Sequence, residues 1–133
     1  MFSSTNSYLM MEDSQEKINY TGKAVKGAGY FRKFMCFHTI NISTNNLNGK
    51  VIIEGTYNHN PSEEDWFLIY EKDYETKNYN IEQNIINEYF NFTSNAVLFR
   101  ARLDRSYLNI DTSVSPENYT AEIGNVVKIQ ISY

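Results

Sequence analysis

The chain carries a single cysteine, Cys36, so no disulfide can form within it. Its cysteine content makes no case for a disulfide-stabilised extracellular fold. Basic residues are scarce: 12 Lys and Arg stand against 16 Asp and Glu, a net charge of −4. Nucleic-acid binding through phosphates needs clustered cations that displace counterions, so no nucleic-acid partner is expected. No apolar run approaches the ~20 residues of a membrane-spanning helix, and no membrane partner is expected. The first residues lack the basic start and apolar stretch of a secretory signal, which predicts a soluble protein made in the cytoplasm.

The means for chemistry are equally thin. Two histidines, His38 and His59, accompany the one thiol, too few for a closed zinc site without carboxylates. No orienting third group or oxyanion hole is marked beside Cys36 and His38, as a nucleophilic pair would require; His38 reads instead as a partly buried ring bonded to backbone. The acidic cluster Glu63-Glu64-Asp65 lacks the alternating carboxylates and central glycine of a calcium loop, and reads as a solvated loop. A glycine-rich phosphate loop, a nucleophile elbow and a dinucleotide fingerprint are all missing. The expectation is therefore a protein that is not an enzyme, with no metal and no cofactor.

What the chain does have is aromatic residues and alternation. It contains 11 Tyr and 8 Phe, residue types that pack well on a pleated sheet and also serve contact surfaces. Val97, Phe99, Ala101 and Leu103 fall on one face of an alternating stretch, and Leu98, Arg100, Arg102 and Asp104 on the other. This is the pattern of a half-buried strand. Near the end, Val127, Ile129 and Ile131 alternate with Lys128, Gln130 and Ser132. Further strands are predicted at 17–25, 35–43, 50–57 and 66–71, with Asn45 to Gly49 as a hairpin loop. The stretch from Asn80 to Phe92 fits helix or strand, and its surroundings favour strand. Seven or eight short strands separated by Gly, Asn and Pro turns predict an all-β fold, an antiparallel β-sandwich that is jelly-roll-like or immunoglobulin-like. At 133 residues the chain is long enough to bury one core. The expected organisation is a flexible N-terminal arm over 1–16 and one sandwich domain over 17–133.

Some side chains stand out as contacts. The arm lacks strand alternation but carries Phe2, Tyr8, Leu9, Met10 and Met11, so it is expected to order against a partner. Trp66, the only tryptophan, is expected to anchor the core. Arg100 and Arg102 project from the face opposite Phe99, with Glu54 a plausible cross-strand partner for one. Arg102 would then be left for a neighbouring subunit. Tyr70, Tyr74, Tyr79, Tyr89 and Tyr107 are candidates for stacking on sugars.

Several segments taken together resemble a known family. These are Gly27-Ala28-Gly29-Tyr30-Phe31, His38-Thr39-Ile40, Gly49-Lys50-Val51-Ile52-Ile53-Glu54-Gly55-Thr56, Asn60-Pro61 and Asp65-Trp66-Phe67. Asn91-Phe92-Thr93-Ser94-Asn95, Val97, Arg100-Ala101 and Gly124-Asn125-Val126-Val127-Lys128-Ile129 complete the series. Their order and spacing over about residues 20–133 resemble small β-sandwich virion structural proteins of tailed phages, especially T4-like phages of marine cyanobacteria. The chain departs from that pattern in the apolar segment Arg32 to Phe37, at Phe99, and in the long loop from Leu108 to Ile123. The resemblance implies a structural subunit of the capsid surface, neck, baseplate or fibre attachment. Its partners would be other virion proteins and copies of itself, and its location the virion, after synthesis in the host cytoplasm. The alternative is a carbohydrate-binding module that recognises a host glycan.

Overall fold

The computed structural model of the chain describes residues 7–15, 17–32, 34–75, 84–108, 113 and 123–133. Within them run β1 (Ser7–Glu12), β2 (Asn19–Thr21), β3 (Val25–Lys26), β4 (Cys36–Asn45), β5 (Gly49–Thr56), β6 (Phe67–Tyr74), β7 (Ile85–Ser94), β8 (Leu98–Asp104) and β9 (Asn125–Ser132). One sheet has the order β1-β9-β4-β7 and the other β2-β8-β5-β6, with β3 also paired to β8. Every recorded pairing is antiparallel. With β3 set aside, the eight strands follow the jelly-roll order, a two-sheet sandwich built from nested Greek keys. Of the two architectures that the turn and strand pattern predicts, the jelly roll is the one formed. The expected hairpin at Asn45 to Gly49 is a connection between sheets, because β4 and β5 lie in different ones.

The core lies between the sheets. Val97, Phe99, Ala101 and Leu103 are all buried, as their alternation predicts, together with Val51 and Ile53 from the neighbouring strand β5 and Ile40 and Ile42 from β4 in the facing sheet. On β9 the expectation is half right. Ile129 and Ile131 are buried, but Val126 rather than Val127 takes the third inward position. A register shift in the β4–β9 ladder, where Ser43 pairs with Lys128 but Thr44 with Val126, inserts an extra residue. Such a bulge reverses the facing of everything beyond it.

The N-terminal residues also differ from expectation. Ser7–Glu12 is not an arm but β1, an edge strand paired with β9. A register shift between Leu9 and Met11 lets both Met10 and Met11 turn inward into the core cluster. That bulge is why these residues show no alternation in the sequence. The sandwich therefore begins before residue 17.

The fourth strand of each sheet, β7 and β6, closes one side of the sandwich. Tyr70 stacks on Phe90 with ring centroids 4.0 Å apart, and Lys72 bonds Glu88 at 2.5 Å. Inward-pointing charges on edge strands discourage edge-to-edge pairing with another chain.

Candidate functional site

The structure redistributes the residues expected to make contacts. Met10 and Met11 are buried in the core, and Tyr8 packs against it with its ring stacked on Tyr133 at 5.3 Å. Met10 and Met11 are thus internal contacts, and Tyr8 is partly buried. Phe2 lies outside the described residues, as does Tyr79. Of the other tyrosines proposed for stacking, Tyr74 is buried, Tyr70 is engaged with Phe90, and Tyr107 donates to Asp73. Tyr89 is widely exposed on β7.

Trp66 is not a core anchor. It closes the short turn Glu63–Asp65 just before β6 and is half-buried. Its ring lies 4.3 Å from the Arg100 guanidinium. Arg100 points away from the face that carries Phe99 and Ala101, so Trp66 covers the outer surface of the second sheet, and Phe99 supplies the large core ring.

Arg102 is not left free either. The register sets Glu54 opposite Arg100 and Ile52 opposite Arg102, so one carboxylate reaches both arginines. Nε of Arg100 and Nε of Arg102 each donate to Glu54 Oε1 at 2.8 Å. Arg102 Nη2 adds a bond to Oε2 at 3.3 Å. Arg100 also holds Glu63 through two bonds of 3.1 and 2.8 Å. The hydrogen bond from Arg100, and then its charge, lower the pKa of Glu63; the Arg100 pKa rises, chiefly through the same bond. Two cations and two anions neutralise one another on the sheet, as a structural device.

His38 is fully buried and bonds to backbone at both ring nitrogens. Its Nε2 accepts from Ala28 N–H at 3.1 Å, and its Nδ1 lies 2.9 Å from the Cys36 carbonyl. Only the neutral ring with its proton on Nδ1 makes both bonds. Burial lowers the pKa of this ring below 6.5, more than the Cys36 bond raises it.

The Ala28 bond matters because it pins a loop. At one end of the jelly roll lie three stretches between strands, residues 27–32, 57–66 and 95–97. Gly27 N–H donates to Val97 at 2.9 Å, and Val97 N–H to Thr56 at 2.8 Å. A Cβ on Gly29 would stand 2.1 Å from the Asn95 carbonyl oxygen, so only glycine admits this approach. These loops and residues 34–37 at the start of β4 carry five of the eleven exposed large apolar side chains among the described residues. Phe34, Met35 and Phe37 are 62%, 57% and 61% exposed, and Phe31 and Tyr57 lie exposed at the same end. The sequence marks the segment Arg32 to Phe37 as apolar, but only the fold brings Tyr57, from another connection, to the same end. Among the described residues no group of His, Cys, Asp or Glu is arranged to hold a metal ion. Comparison with known proteins finds no matching family model, no matching curated protein and no matching solved structure.

Proposed function

We propose that this chain is a non-enzymatic structural subunit of a tailed-phage particle, held in place by contacts with other virion proteins and with copies of itself. The observation that carries the reading is the run Phe34, Met35 and Phe37. Three large apolar side chains within four positions are each more than half exposed. Contiguous apolar surface of this kind is a mark of a protein contact. The jelly roll agrees by analogy, since it recurs in capsid subunits as well as in lectins, although a fold alone does not define a function. The resemblance in motif order points the same way. The contact surface in this reading is the apolar end of the sandwich; Met10, Met11 and Arg102 are engaged within the subunit itself.

The test is the particle. Mass spectrometry of purified virions from the phage that encodes the chain is expected to find it in amounts comparable to other structural proteins. Its absence from the particles would overturn the reading. The double variant Phe34→Ser, Phe37→Ser is expected to fold with an unchanged melting temperature yet be lost from the particle. Normal incorporation would move the contact elsewhere.

A further inference from the structure

The geometry points to a carbohydrate-binding cleft at the end of the sandwich, walled by the rings of Tyr30, Tyr57 and His59. The inference does not rest on the virion reading. Two adjoining hollows, of 340 and 510 Å³, share Tyr57 and His59 as a common wall. The larger is a shallow, open surface and the smaller a half-enclosed cleft, a shape suited to a ligand that lies along a ring rather than one that is engulfed.

The rings are held before any ligand arrives. Tyr57 stacks on Phe67 at 4.9 Å and an interplanar angle of 27°, leaving its opposite face to solvent. Tyr30 lies 5.0 Å from the His59 ring and meets Phe31 edge-on at 5.3 Å. The Lys26 ammonium covers the Tyr30 ring at 4.5 Å. Beneath the rings, the loop 57–66 is braced by its own polar groups. Asn58 Oδ1 accepts from Asn60 N–H at 2.9 Å, and Asp65 Oδ2 accepts from Ser62 N–H at 2.8 Å and from Asn58 Nδ2 at 3.2 Å. These bonds fall on one oxygen of Asp65 and leave Oδ1 as an acceptor. The exposed amide of Asn60 offers both a donor and an acceptor.

This mixture selects the ligand. A pyranose has a face of polarised C–H groups that settles on the electron-rich face of an aromatic ring. Its rim of hydroxyls pairs with planar amides and carboxylates. The neighbouring Phe34, Met35 and Phe37 patch has rings and a thioether but no such side-chain polar groups, and it suits a protein. The two surfaces therefore differ in chemistry although they share an end of the fold.

The probe is a panel of methyl glycosides of glucose, galactose, mannose and N-acetylglucosamine with their disaccharides, titrated into the full chain and followed by NMR. At least one is expected to bind saturably, with shifts confined to residues 28–32, 57–60 and 65. Tyr57→Ala should weaken that binding about tenfold, the effect of losing one stacked ring, while an unchanged melting temperature shows that the fold survives. Tyr89→Ala, equally exposed but on β7, should bind like the parent chain. Failure of the whole panel to bind would overturn the inference. So would binding that survives Tyr57→Ala, or shifts in these loops that track protein concentration without sugar, the mark of a protein contact. Loss of binding in Tyr57→Ala with virion incorporation retained would separate this cleft from the assembly surface.

Discussion

A guanidinium with no carboxylate partner among the described residues sits just beyond β8. Arg105 is 0% exposed. Its Nη2 donates to Ser14 Oγ at 2.9 Å, but Nε and Nη1 have no hydrogen-bond partner among the described residues. Burial alone pushes its pKa down to about 10. At ~1.4 kcal/mol per pH unit, a fall of that size from the ordinary arginine value corresponds to roughly 3 kcal/mol of destabilisation. The cost is fully present at every pH below about 10, where the folded and unfolded chains both hold the proton. Against it stands one bond to a neutral hydroxyl, worth about 1.5–3 kcal/mol when the donor is charged. Ser14 Oγ keeps a second partner, the Val126 N–H at 2.8 Å, once that bond is gone. Replacing the cation by an unbranched apolar side chain, Arg105→Met, is therefore expected to stabilise the protein by up to about 1.5 kcal/mol, as replacement of buried ionic groups often does. Urea unfolding followed by the fluorescence of Trp66 measures it. The midpoint should rise with an unchanged slope, and the melting temperature should rise by about 4 °C per kcal/mol. A variant less stable than the parent by 1 kcal/mol or more would refute the reasoning. It would mean that the guanidinium is compensated in solution and that its two unpaired nitrogens are not a net cost.

Two other expectations follow from the buried polar groups. Glu54→Ala strips Arg102 of its carboxylate and leaves Arg100 with Glu63 alone, so it should cost ~2–4 kcal/mol in urea unfolding. Glu63→Ala should cost far less, because that side chain is 82% exposed; equal losses would show that Glu54 is not the hub. His38 should titrate below 6.5, because burial lowers its pKa. The unfolded chain then binds the extra proton first, so stability falls as pH drops through 6.5 and levels off below the lowered value. An NMR titration of the His38 ring with a midpoint at or above 6.5 would contradict this.

The parts of the fold legible in the sequence are those where strict alternation meets a regular ladder. From Leu98 to Asp104 the β5–β8 register runs without a shift, and Phe99, Ala101 and Leu103 all face inward, where period two puts them. Alternation carries no information about bulges, and the errors fall there. One extra residue in β9 exchanges Val127 for Val126. One in β1 buries two consecutive methionines and disguises an edge strand as an arm. The same limit hides topology: Asn46, with φ of +51°, and Gly49, with φ of +143°, do mark a sharp change of direction. A left-handed residue serves a turn between sheets as well as one within a sheet.

The surface chemistry was harder to read, for a reason rooted in the jelly roll itself. Arg100, Arg102 and Glu54 could be paired from strand facing alone, but Glu63 joins them from a loop and converts a two-partner bridge into a neutral four-membered cluster. Trp66 then has its place, because a guanidinium held on both sides offers a planar surface on which an indole can lie. The rings of Tyr30, Tyr57 and His59 are likewise assembled by tertiary structure, since residues 28–30 and 57–59 belong to connections separated by two strands. A nested Greek key gathers alternate connections at the same end of the sandwich, so side chains distant in sequence converge there by topology. The link that secures them, the neutral His38 ring reaching Ala28, belongs to the core. Protonation of that ring would break the bond and loosen the loop that carries Tyr30. The stability of the fold and the shape of the cleft thus depend on the same proton, and acid that weakens one should open the other.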